Sequence, residues 1–158
     1  MRHRIVTYRG GRDADIVSLI LGIQRDEVRL HVPVEEQQEL LGICQAYHED
    51  NFWLAIADDD IVGTIGVLRY GSCGILRKLF VRADHRGPGG VAHALFDRAM
   101  GWAAERGLDA VLLDTPAIAA RSHAFYRRKG FQVVDRSELP DGYFFPDRDS
   151  LIFKKAVS

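Results

Sequence analysis

The residue types best suited to chemistry fall in one stretch, Arg82-Ala83-Asp84-His85-Arg86-Gly87-Pro88-Gly89-Gly90-Val91-Ala92, a polar glycine-rich run that leads into an apolar-periodic segment. A glycine-rich turn opening directly into a helix leaves several backbone N–H groups unpaired at the positive end of the helix dipole, which makes an anion site. Gly87, Gly89, Gly90 and Ala92 carry no bulky side chain, so a diphosphate can approach the backbone, and Arg86 can add a charge-assisted contact. The same glycines would also serve a plain tight turn. Two phosphate-binding patterns compete here. A P-loop is excluded, because no Gly-Lys-Ser/Thr follows. A dinucleotide fingerprint fits better: Gly87-x-Gly89-x-x-Ala92 has its spacing, and Asp109 and Asp114 lie roughly 20 residues on, where a ribose-binding acid belongs.

The elements that must position this loop follow from periodicity. A short strand is expected over 5–8, then a helix whose first turn can be capped by Asp13 or Asp15 and whose apolar face is Ile16, Leu19, Ile20 and Ile23. Residues 34–47 predict a second helix, with Leu40, Leu41 and Ile43 behind the acidic start Glu35-Glu36. The β-rich runs 52–57 and 61–68, separated by Asp58-Asp59-Asp60, must pair as an antiparallel hairpin, and the turn at 71–74 returns the chain into a third strand over 75–81. After the loop comes an amphipathic helix on Ala92, Leu95, Phe96, Ala99 and Ala103, closed near Gly107. The apolar run 110–113 suits a parallel position in the centre of the sheet, and Pro116 ends it. Residues 118–129 read as a helix ended by Gly130, with strands over 131–134 and 151–154. The order β-α-α-β-β-β-α-β-α-β-β implies an α/β fold of the α+β type: a mixed sheet with helices on both faces. That context argues against the dinucleotide fingerprint, which belongs to the first strand-helix turn of a parallel sheet.

A length of 158 residues with 47% hydrophobic and 27% charged side chains fits one folded domain over 1–158. The net charge of −1 and the lack of a basic run exclude a phosphate-backbone partner, so no nucleic acid is expected. The basic start is not followed by an apolar stretch of signal length, and no run could span a bilayer, so a cytoplasmic protein without a membrane partner is expected. Cys44 and Cys73 are too few and isolated for a disulfide framework or metal site; both read as reduced packing residues, and no metal is expected.

Several motifs, taken in order, resemble the GCN5-related N-acetyltransferase (GNAT) family over nearly the whole chain. Leu76-Arg77-Lys78-Leu79-Phe80-Val81 is similar to its fourth strand, and Arg86-Gly87-x-x-Gly90-x-Ala92 to its coenzyme A pyrophosphate loop. Phe125-Tyr126-Arg127-Arg128-Lys129-Gly130-Phe131 is similar to its late Tyr-x-x-x-Gly-Phe element, and two helices precede the hairpin as they do in the family. Ile23-Gln24-Arg25-Asp26-Glu27, Asn51-Phe52-Trp53, His123-Ala124-Phe125-Tyr126, Leu139-Pro140 and Asp149-Ser150 resemble a bacterial subgroup of undefined acceptor. That recurrence implies an acceptor-site role for Gln24 and Glu27, beside the plainer and preferred reading of a solvent-facing helix end. The chain departs from the family at two points. Arg86 stands one residue away from the usual position, an insertion the subgroup shares, and Ile75 replaces the fourth-strand glutamate that serves many relatives as base.

The resemblance implies acetyl-coenzyme A as donor, no metal, and an amine of a small molecule or peptide as acceptor. It implies donor contacts at Leu79, Phe80, Val81, Arg86, Gly87, Gly89, Gly90, Val91, Ala92 and Tyr126. Backbone groups near 79–81 would hold the pantetheine, with an N–H polarising the thioester carbonyl, and the Tyr126 hydroxyl would protonate the departing sulfur. Phe125 is expected to face the core with Ile118 and Ser122, turning Tyr126 elsewhere, with His123 one turn before it. Glu27, Asp114 and His123 are the candidates for general base. Trp53, Tyr143, Phe144 and Phe145 could line an acceptor pocket, although aromatic residues at strand positions are commoner in cores. The oligomeric state is open, a homodimer through the last strands being ordinary. Two other readings compete: a catalytically silent module that binds coenzyme A as a sensor or partner-binding domain, and a nicotinamide-dependent oxidoreductase.

Overall fold

Phe52, Leu54 and Ile56 alternate with Trp53, Ala55 and Ala57, and all six are buried, so the strand they form is covered on both faces. The first three join one apolar cluster with Ile16, Ile20, Leu40 and Ile43; the others join a second cluster with Leu95, Phe96, Ala99 and Trp102. In the computed structural model, residues 3–27, 33–87, 90–143 and 149–157 are described. The strands are β1 (Arg4–Thr7), β2 (Phe52–Ala57), β3 (Asp60–Tyr70), β4 (Cys73–Val81), β5 (Ala110–Thr115), β6 (Gln132–Val134) and β7 (Leu151–Ala156). The α-helices are α1 (Asp13–Asp26), α2 (Ile43–Ala46), α3 (Val91–Glu105) and α4 (Ala120–Arg128). Among the described residues no helix is long and apolar enough to cross a membrane.

The strands make one mixed sheet in the order β1-β2-β3-β4-β5-β7-β6. Asp58 and Asp59 both take positive φ in the tight β2–β3 turn, as a hairpin of this length requires. The β4–β5 pair is parallel and short: Cys73, Gly74 and Ile75 face Ala110, Val111 and Leu112, and no pairing continues beyond. From Leu76 onward β4 stays with β3 while β5 continues beside β7, so the sheet splits along its middle. A bulge marks the split. Thr64 faces Phe80 while Gly66 faces Arg77, which puts one extra residue into β4, and Lys78 takes the left-handed φ of +58°. The Thr64 hydroxyl donates to the Lys78 carbonyl at 2.7 Å and fixes that backbone.

The element order matches the sequence expectation, with local differences. The second helix breaks into 3-10 turns at Val34–Glu36 and Gln38–Leu41 and one α-turn, because Gln37 and Gly42 hold non-helical dihedrals. Helix α4 begins two residues later than expected, and Ile118, assigned to the core with Phe125, is 61% exposed. Tyr126, rather than Phe125, is the deeper of the pair: it belongs to the main cluster, with Phe125 packed against its edge.

Candidate active site

Two cavities flank the split in the sheet. The larger, about 510 Å³, runs from the loop ahead of α3 past Leu79, Phe80 and Val81 to α4. The smaller, about 170 Å³, lies under the 3-10 turns and includes Gln24, Gln37, Arg77, Lys78, Asp114 and Ser150. Leu79, Phe80, Ala119, Ser122 and Tyr126 line both, so the two spaces meet where β4 leaves β5.

The N-terminus of α3 points at the larger cavity. Its cap, Gly90, has no capping side chain, and the first backbone bond of the helix is from the Ala94 N–H to the Gly90 carbonyl at 3.1 Å. The N–H groups before Ala94 therefore have no partner within the helix. Gly87, at φ +110°, and Gly90 and Ala92 line this cavity, whereas the Val91 side chain is buried in the core and can contribute only backbone. Gly89 lies outside the described residues. Arg86 also lines the cavity; its Nε donates to the Val81 carbonyl at 2.8 Å, and its two Nη groups form a fork on the Glu27 carboxylate. That contact holds the Glu27 carboxyl below the ordinary range, with Arg121 reinforcing it from 4.0 Å.

The base candidates divide accordingly. Glu27 borders the larger cavity and is committed to Arg86. His123 lines neither cavity: it packs on Phe153 and sits 3.0 Å from the Pro116 carbonyl through Nε2. Asp114 lines the smaller cavity, accepts from the Tyr143 hydroxyl and lies 3.7 Å from Arg77. Burial raises the Tyr126 hydroxyl far above the ordinary phenol range, with the Asp114 charge adding to it, so the group keeps its proton at any working pH.

Much of the smaller cavity escapes a sequence reading. Gln24, preferred above as a solvent-facing helix end, is buried and exchanges amide hydrogen bonds with Gln37 at 2.9 and 3.0 Å. Glu39 Oε1 accepts from Arg77 Nη2 at 2.7 Å and lies 3.2 Å from Lys78 Nζ. The only sequence signal for this cluster is the pair of consecutive cations inside an otherwise apolar strand. Of the aromatic candidates, Trp53 packs in the core against Trp102, Tyr143 supports Asp114 and Arg77 from outside the cavity lining, and Phe144 and Phe145 lie outside the described residues. Ile75, in place of the expected glutamate, is fully buried. Among the described residues no group of three or more His, Cys, Asp or Glu side chains could hold a metal ion.

Residues 16–131 match the acetyltransferase (GNAT) family. An acetyltransferase from Streptococcus agalactiae of known structure is 34% identical, each chain covering 98% of the other, with a TM-score of 0.90. Human N-acetyltransferase 8B is 32% identical over 116 residues, which are 68% of this chain and 51% of that protein. The chain thus spans about half the length of the curated relatives it matches. The fold alone is shared with N-acetylglutamate synthase from Neisseria gonorrhoeae, solved with coenzyme A and N-acetyl-glutamate; identity is 17%, the TM-score 0.75, and the match covers 100% of this chain and 36% of that one.

Proposed function

The chain belongs to the GNAT acetyltransferase family, and on that premise we propose that residues 1–158 form one domain that takes acetyl-coenzyme A in the larger cavity and passes the acetyl group by direct attack to a primary amine of a small molecule or peptide in the smaller one. The observation that carries this reading is the meeting of the two cavities at Leu79, Phe80 and Tyr126, beside the strand edge that β5 leaves unpaired. A thioester reaching that point from one side meets an amine arriving from the other, which supplies the proximity and orientation that acyl transfer needs. The structure of the Neisseria enzyme with coenzyme A supports the choice of donor.

Each proposed contact has its own physical basis. The diphosphate takes the unpaired N–H groups at the start of α3, with Gly87, Gly90 and Ala92 giving close approach. The pantetheine runs along Leu79 to Val81, and a β4 backbone N–H polarises the carbonyl as negative charge develops on its oxygen. Tyr126, protonated and lining both cavities, gives its proton to the sulfur. A cavity of about 170 Å³ admits the amine end of an acceptor, which suits either a small molecule or a peptide side chain.

The test is release of free thiol from acetyl-coenzyme A against a panel of amines, with calorimetry for coenzyme A binding. Turnover with at least one amine is expected. Tight coenzyme A binding with no turnover would favour the silent module, and stabilisation by a nicotinamide dinucleotide but not by coenzyme A would restore the oxidoreductase.

A further inference from the structure

Arg77 and Lys78 are consecutive in β4, so a regular strand would send their side chains to opposite faces. The bulge cancels that alternation, and both cations reach the same Glu39 carboxylate oxygen from the wall of the smaller cavity. A non-glycine residue held at positive φ costs on the order of 1 kcal/mol or more, and such strain gathers at functional sites. The Lys78 side chain is 7% exposed, and the residue adjoins Leu79 in the chain and lines the same cavity as Asp114 and Tyr126.

The surroundings of the amine can hold its neutral form. Among the described residues Nζ has two acceptors, Gln37 Oε1 at 2.6 Å and Glu39 Oε1 at 3.2 Å. A neutral amine has two N–H bonds for them and one lone pair left over; an ammonium has a third proton to place. Glu39 is shared by both cations, and Arg77 has Asp114 as a second carboxylate at 3.7 Å; a guanidinium does not give up its proton, so of the two cations the ammonium is the one that can yield. Nearby charged and titratable groups are Arg77 on the same strand, Glu39 and Glu36 from the 3-10 turns, Asp114 from β5, Tyr126 from α4, and Tyr143; Gln24 is neutral. Burial first and then Arg77 lower the Lys78 amine to about 8, against the opposing pull of Glu39 and Asp114.

We propose that Lys78 is the general base of acetyl transfer, standing in for the strand glutamate that Ile75 replaces; this rests on the acetyltransferase reading above. As the amine nitrogen bonds to the thioester carbon, its proton passes to the Lys78 lone pair. The C–S bond breaks, the electron pair stays with sulfur, and sulfur takes its proton from Tyr126. The Lys78 ammonium and the Tyr126 phenolate then exchange one proton through solvent, which restores both groups and leaves amide and thiol.

The first test needs no turnover. The chain has four lysines, so a lysine-13C-labelled sample gives few signals, and loss of one in Lys78→Met assigns it. Titration of that signal near pH 8 is expected; titration at or above 10 overturns the proposal, whatever becomes of the acetyltransferase reading. The second test compares Lys78→Arg with wild type at pH 8. Arginine keeps a cation on Glu39 and so rescues a merely structural role, but it cannot take up a proton. Expected is about a 100-fold fall in kcat with the coenzyme A Kd unchanged; near-normal kcat in Lys78→Arg, or an acetyl group found on Lys78 after exposure to the donor, overturns it. Lys78→Met, close in volume, serves the same comparison if the arginine does not fit.

Discussion

Replacing Tyr126 by Phe removes one oxygen from the place where the two cavities meet and leaves the ring where it packs, among Phe125, Phe131 and Phe153. The hydroxyl makes no hydrogen bond to a described residue, and burial and the Asp114 charge keep it protonated. Its loss should therefore change stability by no more than about 0.5 kcal/mol, roughly 1–2 °C in Tm for a chain of this size. The effect on catalysis should be larger. A positioned general acid contributes on the order of 100-fold to 10,000-fold, and because a thiolate is already a fair leaving group the lower end applies. A 100-fold fall in kcat corresponds to about 2.7 kcal/mol of transition-state stabilisation. In the proposed role the hydroxyl acts as charge develops on sulfur, so kcat and kcat/KM should fall together while the acetyl-coenzyme A Kd holds. Steady-state kinetics and calorimetry on both proteins make the measurement. Near-normal turnover in Tyr126→Phe would remove the residue as the acid, and equal losses in binding and turnover would make it a packing residue.

A Cβ at Gly90 meets Gly87 and His93 no closer than 3.4 Å, so Gly90→Glu should fold, yet it sets a carboxylate in the proposed diphosphate site; coenzyme A binding by calorimetry should be lost with an unchanged circular dichroism spectrum, and retained affinity would sink the anion site. Glu27→Gln removes a carboxylate from the larger cavity and releases the Arg86 fork, so coenzyme A should bind about threefold to tenfold tighter at low salt, the gain shrinking at high salt; weaker binding would show instead that Glu27 holds Arg86 in its working position. Gly66→Ala would bring a Cβ within 2.6 Å of Tyr47 and 2.7 Å of Phe52, both buried, so about 1–3 kcal/mol of overpacking and a Tm lower by roughly 2–4 °C per kcal/mol are expected. An unchanged melting curve would mean that the two rings yield freely.

The features legible in the sequence are those set by neighbours in the chain. The Asp58-Asp59-Asp60 hairpin, the amphipathic α3 with its glycine-rich approach, and the ends at Gly107 and Gly130, both at positive φ, all rest on local periodicity and turn chemistry. Where local signals are weak, tertiary contacts decide the structure. Residues 34–47 carry apolar side chains without a sustained helical stripe, and Gly42 and Gln37 break them into turns held in place by packing against β2 and α1 and by polar contacts to Gln24, Arg77 and Lys78. Gln24 carries no local signal of burial, because the turns that bury it come 13 residues later.

What the sequence determined by itself was the element order, the family and the glycine-rich loop proposed as the anion site, since each is written in consecutive residues. The tertiary structure alone decided which side chains share the smaller cavity. Glu39 meets Arg77 across 38 residues, Tyr143 meets Arg77 across 66, and Glu27 meets Arg86 across 59. The bulge that turns Lys78 toward Glu39 exists only because β3 and β4 pair out of step beside a strand that parts from them after Ile75. Register and splay of that kind come from how the whole sheet closes on its two apolar clusters, and no local pattern of residues encodes them.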